Sequence, residues 1–196
     1  PVLKGTTPAS RRKFFIRNGT VERLYTPEDL RLQAYFADFF RMKEEPVSVT
    51  QGAAYIRMWR EVEYYSGGIY DGTPRTLLAN DILIRLPDIL LLRAEMKAAT
   101  GDREGAVADL DVVRRRAGVA GYSEAEGDLR RAIQLERDRE LLFQTGVRYF
   151  DYMRNHTYNL LKGGFRDLTE TDLPVSLDAM NNNPKVKQTA YWVGKF

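Results

Sequence analysis

The sequence predicts a mainly α-helical fold of stacked helix pairs, with long ordered loops and one small β-hairpin. Two observations carry that expectation. Leu86-Pro-Asp-Ile-Leu-Leu-Leu-Arg-Ala-Glu-Met96 is apolar at helical spacing and runs through Gly101-Asp102 to Arg114-Arg-Arg-Ala-Gly118. A second pair follows, Ala132-Ile-Gln-Leu-Glu-Arg-Asp-Arg-Glu-Leu141 and then Gly146-Val-Arg-Tyr-Phe-Asp151. The link between the first two helices is two or three residues long, which forces an antiparallel hairpin. The apolar faces of the two pairs stay dry only if they pack on each other.

Taken in order, residues 1–10 are rich in Pro, Thr, Ser and Gly and read as a surface lead-in. Asn18-Gly19 sits between two strand-like runs, Arg12–Arg17 and Thr20–Tyr25, and predicts a β-hairpin. Thr26-Pro-Glu-Asp29 has the makings of a helix cap, yet Leu30, Leu32, Ala34 and Phe36 alternate as a strand would. The element type there stays open. From Lys43 to Asn80 the chain is turn-rich and aromatic, with Tyr55, Trp59, Tyr64, Tyr65 and Tyr70. So long a loop is uncommon unless functional or disordered, and its rings favour an ordered one.

The first long helix should begin at Pro87 and stop before Gly101. It is apolar around most of its circumference, which predicts a central position. Asp102 caps the next helix, whose stripe is Ala106, Leu110, Val113 and Ala117, and Gly118 stops it. Ser123 and Glu126 have capping-box spacing and open a third helix that runs to about Thr145. A fourth, from about Val147, should end at Gly163-Gly164. Residues 165–196 read as an irregular tail. The chain thus divides into a hairpin and loop region (1–80), helix pairs (81–162) and a tail (163–196). Gly146 lies 45 residues after Gly101, whereas a tetratricopeptide unit is about 34 residues. Any such repeat here is degenerate.

Composition narrows the function. The chain has 196 residues, 43% hydrophobic and 29% charged, with 30 basic and 27 acidic side chains. A net charge of +3 implies no nucleic-acid surface. Cysteine is absent, so disulfides and thiolate metal sites are excluded for these residues. No apolar run approaches the roughly 18 residues of a membrane span. The start, Pro1-Val-Leu-Lys-Gly5, is neither an initiator methionine nor a signal peptide, so the chain reads as a processed or truncated product.

Two groups of residues merit a chemical reading. Glu136 and Glu140 are four apart on one helical face. Paired carboxylates serve as acid and base in glycosidases. Arginines at 137, 139 and 148 argue instead for a structural ion-pair lattice that fixes helix register. Trp59, Tyr64, Tyr65 and Tyr70 form the other group. Aromatic faces with polar rims suit sugar rings, and the same rings would equally pack a loop onto the helices. His156, the only histidine, has no metal-site spacing, and Gly67-Gly68 and Gly163-Gly164 lack the pattern of a phosphate loop. The residues call for no cofactor and no metal.

Several stretches together resemble the SusD/RagB family of nutrient-binding outer-membrane lipoproteins, in its C-terminal part. Ile84-Arg-Leu-Pro-Asp-Ile-Leu-Leu-Leu-Arg-Ala-Glu95 is similar to the family's I-R-L-A-D-I-L-L-x-x-A-E helix. Leu110-Asp-Val-Val-Arg-Arg-Arg-Ala-Gly118 is similar to L-N-x-V-R-x-R-A-G, and Asp29-Leu-Arg31 echoes an upstream D-x-R. Ile133–Leu141 with Arg148-Tyr-Phe-Asp151 and Arg154 resembles I-x-x-E-R-x-x-E-L followed by R-Y-F-D-x-x-R. The tail, Leu173–Ser176 with Asn183-Pro184, Gln188 and Tyr191, resembles P-I-P and N-P-x-x-x-Q-N-x-G-Y. Pro87, Asp111 and Ser176 depart from the pattern, and the segment before Arg148 is one residue longer. The residues shared with the family are helix-packing residues there, so the resemblance speaks to the fold and not to the ligand.

The resemblance implies a tetratricopeptide-like, SusD-like fold without catalytic residues. It also implies a cell-surface lipoprotein that captures a glycan or glycopeptide and hands it to a SusC-like TonB-dependent transporter. The lipid anchor would lie on a missing N-terminal part. A helical-repeat scaffold that binds a protein and no glycan is the alternative.

Overall fold

The computed structural model describes residues 16–36, 38–50, 52–54, 56, 83–144, 147–160 and 173–195. Two compact units divide the chain, residues 1–142 and 143–196. The rings at Tyr55, Trp59, Tyr64, Tyr65 and Tyr70 lie outside the described residues.

The first unit opens on β1 (Ile16–Arg17), which runs straight into α1 (Asn18–Leu24). The expected Asn-Gly hairpin is therefore incorrect: Asn18-Gly19 begins a helix. The reason lies in Val21, Leu24 and Tyr25, all buried at i, i+3, i+4 spacing, which gives the segment a helical apolar face. β1 pairs instead with β2 (Ala53–Ala54), antiparallel, with Ile16 opposite Ala54 and Arg17 opposite Ala53. The small sheet thus joins segments distant in sequence. Asp29 caps α2 (Leu30–Tyr35), its side chain accepting the Arg31 N–H at 2.9 Å, which settles the open element as a helix. Two short helices follow, α3 (Phe39–Glu44), which ends at the start of the stretch expected to be loop, and α4 (Val47–Thr50), which lies inside it.

The helix hairpin is α5 (Leu86–Thr100) and α6 (Arg103–Arg116). Pro87 stands in the first turn of α5 and Gly101, at φ 91°, ends it. Asp102 then accepts the Gly105 N–H at 2.9 Å and starts α6. Helix α7 (Leu129–Glu140) packs across both. The core is Leu91, Ala94, Ala106, Leu110, Val113, Leu129, Ala132 and Ile133.

Three expectations for these helices need correction. Helix α5 is not apolar-buried all round: Leu91 and Ala94 face the core, while Leu86, Ile89 and Met96 are more than half exposed. The Ser123–Glu126 capping box closes only a 3₁₀ turn, Glu124–Glu126. Gly127, at φ 86° and ψ −137°, breaks the chain there, and Asp128 caps α7 by accepting the Arg131 N–H at 2.8 Å. The same helix stops at Glu140 rather than near Thr145. Its last carbonyls are taken by side chains: Tyr25 Oη donates to Arg139 O at 2.7 Å, and Tyr35 Oη to Glu140 O at 3.0 Å. Arg85 also donates to Glu140 O.

In the second unit α8 spans Val147–Arg154 and is shorter than expected. His156 is left-handed at φ 54°, and Thr157 N–H returns to Tyr152 O at 3.0 Å, closing the helix end. A 3₁₀ turn follows at Tyr158–Leu160. The tail contains α9 (Leu177–Asn182), capped by Ser176, so its described part is not wholly irregular. Gln188 pins Val175 through both of its backbone groups, at 2.9 and 3.0 Å.

Candidate functional site

Glu136 and Glu140 occupy successive turns of α7, and both are fully buried. A carboxylate there needs charged partners and hydrogen bonds on every side. Glu136 accepts from Arg31 Nη1 at 2.6 Å, Arg139 Nη1 at 3.2 Å and Arg114 Nε at 3.3 Å. Glu140 accepts from Arg85 Nη1 at 2.5 Å, from Arg116 Nη2 at 2.5 and 2.6 Å, and from Arg31 Nη1 at 3.2 Å. Two further carboxylates close the ring. Asp29 holds Arg31 as a fork, at 2.9 and 2.7 Å, and Glu126 holds Arg114 at 2.7 and 2.8 Å.

Local sequence sets up each part. Asp29 caps α2 and pairs with Arg31 through the same carboxylate, so cap and ion pair stabilise each other. Arg114 follows Val113 on the buried side of α6, and Arg85 immediately precedes α5. Burial opposes the charge on Arg31, but its bonds to Asp29 and the nearby Glu136 charge outweigh it and hold the guanidinium above its ordinary pKa. Arg114 is raised likewise, against burial, by Glu126 and Glu136. The Arg114 hydrogen bonds hold the Glu126 carboxyl below its usual range. Burial first, then Tyr35, pushes the Tyr25 phenol up.

These shifts set a pH window. Glu126 is depressed from 4.5, so its contribution is present above that value and fades as pH falls through its lower folded pKa. Tyr25 is raised from 10.0, so its contribution is complete below pH 10 and declines as pH rises above it. Arg31 and Arg114 are raised from 12.5 and add no loss below that value. Thermal midpoints are expected to be level between about pH 5 and 9 and to drop outside those limits. A midpoint that climbs steadily from pH 5 to 9 would contradict this assignment.

The structure brings Glu136, Glu140 and Arg139 into one cluster. It assigns Arg137 differently: its guanidinium lies 2.8 Å from the Asp88 carboxylate and donates to Asp88 O at 3.1 Å, holding α7 to the start of α5. Arg148 belongs to the second unit, where its guanidinium stands 5.4 Å from the Tyr152 ring centre. Sequence reasoning missed Arg31, Arg85, Arg114 and Arg116 as partners of the two glutamates. Arg31 is 105 residues from Glu136, and only the Asp-x-Arg spacing at 29–31 hinted at it. A glycosidase role for Glu136 and Glu140 fails on access. Both carboxylates are enclosed and turned to guanidinium groups, with no room for a sugar or an attacking water. Among the described residues no group of three His, Asp or Glu side chains is placed to hold a metal.

The SusD family model matches residues 6–192. The chain belongs to the SusD family. The lattice draws on several of the SusD-like motifs. Asp29 and Arg31, Arg85, Arg114 and Arg116, and Glu136, Arg139 and Glu140 come from four separate stretches and meet around one buried charge cluster. Similar solved structures include a SusD homologue of Bacteroides thetaiotaomicron, 26% identical, TM-score 0.67, covering 90% of this chain and 38% of that one. A SusD superfamily protein of the same species is 23% identical, TM-score 0.63, covering 91% and 38%. A proposed sugar-binding protein of Bacteroides vulgatus is 22% identical, TM-score 0.57, covering 90% and 39%. The chain therefore spans less than two-fifths of the length of these SusD-like proteins. No curated protein matches the sequence. Among the described residues no helix is long and apolar enough to cross a membrane.

Proposed function

We propose that this chain is the C-terminal part of a non-enzymatic, cell-surface SusD-like protein that binds a glycan or related nutrient. It delivers that ligand to a SusC-like TonB-dependent transporter in the outer membrane, held there by a lipid anchor outside this chain. The observation that carries the reading is the family match across residues 6–192. The burial of Glu136 and Glu140 supports binding over catalysis, since the cluster of paired acids is consumed by packing.

Within this reading the rings at Trp59, Tyr64, Tyr65 and Tyr70 are the proposed sugar contacts, because flat aromatic faces shed water onto the C–H faces of a pyranose. Replacing Trp59 and Tyr65 together by alanine is expected to weaken retention on a glycan affinity gel roughly tenfold, with helix content by circular dichroism unchanged. Undiminished retention would move the site elsewhere. The exposed apolar residues Leu86, Ile89 and Met96 of α5 favour a second reading, a helical scaffold for a protein partner. A glycan array separates the two: binding to no glycan favours the scaffold.

A further inference from the structure

A cleft of about 400 Å³ opens beside the charge lattice in the first unit, between the α1–α2 turn, the loop after α6, the 3₁₀ turn at Glu124–Glu126 and α7. We propose that it holds one neutral sugar unit of the bound glycan, a contact separate from the aromatic segment. The inference rests on the glycan reading above and adds a location and a ligand class to it.

The volume lies within the range of about 300–1,000 Å³ usual for small-ligand sites. Among the described residues its lining carries Glu28, Asp29 and Glu126 against Arg114 and Arg139, three acids to two bases. That balance selects the ligand. An acidic sugar would meet three carboxylates, and a cation would meet two guanidinium groups. A hydroxyl does well with both, donating to a carboxylate and accepting from an arginine N–H.

The lattice leaves such groups available. Arg139 spends Nε on Leu24 O and Nη1 on Glu136, and no protein acceptor is found for its Nη2 among the described residues. Its side chain keeps 19% of its surface exposed, at the cleft. Among the described residues Glu126 Oε2 takes a single hydrogen bond, from Arg114 Nη2, and so keeps room for another donor. Leu24, Val119 and Ala120 supply carbon surface for C–H contact. Because buried ion pairs already hold Arg114 and Arg139, ordering them on binding costs little. Among the described residues no aromatic ring lines the cleft, so a single sugar here is a weak ligand and a polymer is the proper probe.

The test uses the full chain on affinity gels carrying starch, xylan, galactomannan, levan or the acidic polymer polygalacturonate. Ala120→Trp fills the cleft from an exposed position outside the lattice, and Glu28→Arg replaces a carboxylate by a cation at the exposed rim. Both are expected to cut retention of whichever neutral polymer the unaltered chain binds, Ala120→Trp by about tenfold or more. Circular dichroism checks the fold, and if Ala120→Trp lowers helix content, Glu28→Arg decides. Full retention by a folded cleft variant overturns this inference while leaving the glycan reading intact. Retention of polygalacturonate above the neutral polymers overturns the ligand class. Binding to no gel by the unaltered chain removes the glycan reading and this inference with it.

Discussion

Arg31→Met is expected to destabilise the first unit by about 3–5 kcal/mol, the cost typical of breaking a buried ion pair from one side. Arg31 is 2% exposed and, among the described residues, is the one guanidinium that contacts Asp29, Glu136 and Glu140 together. Methionine fills the stem's volume but leaves Asp29 with no cation in the lattice, and that carboxylate is itself buried. Glu136 and Glu140 keep Arg114, Arg139, Arg85 and Arg116, which limits the damage to part of the network. Arg31→Lys should recover little, because an ammonium is a single point of charge and cannot span the Asp29 fork and Glu136 together. Urea unfolding followed by circular dichroism measures both. The exposed Arg103–Glu124 pair is the control, and its removal should leave the transition where it was. A loss below about 1 kcal/mol for Arg31→Met would mean the lattice holds no more than a surface pair does.

Leu110→Ala is expected to cost about 2–5 kcal/mol by the lost burial and the cavity left behind. Leu110 is fully buried on α6, within the cluster shared by α5, α6 and α7. Shrinking it opens space at the point where the hairpin meets the third helix. Val112→Ala, on the same helix but 47% exposed, should change stability by no more than about 0.5 kcal/mol. Equal losses at the two positions would contradict the observed packing of α6.

The two predictions draw on different kinds of information. Leu110 was legible in the sequence, because its stripe with Ala106, Val113 and Ala117 repeats at helical spacing and all four are buried. The ends of the hairpin were legible too. Pro87, Gly101 and Asp102 act through their own backbone preferences or bonds to near neighbours, and need no distant contact. Asn18-Gly19 shows where that local logic fails. The pair suits a tight turn, but burying Val21, Leu24 and Tyr25 together outweighed it.

The helical class, the α5–α6 hairpin and the placing of Glu136 and Glu140 on one face were legible in the chain alone, since each follows from spacing within a few turns. The likeness to SusD proteins came instead from motifs matched along residues 29–191. The folded structure was needed to see which cations meet those glutamates, and that Arg137 meets Asp88. It alone showed the polar cleft against the lattice. The physical reason is that a helical face records which side of a residue is buried, whereas the partner of a buried charge is whichever opposite charge the fold carries to it, here from as far as 109 residues away.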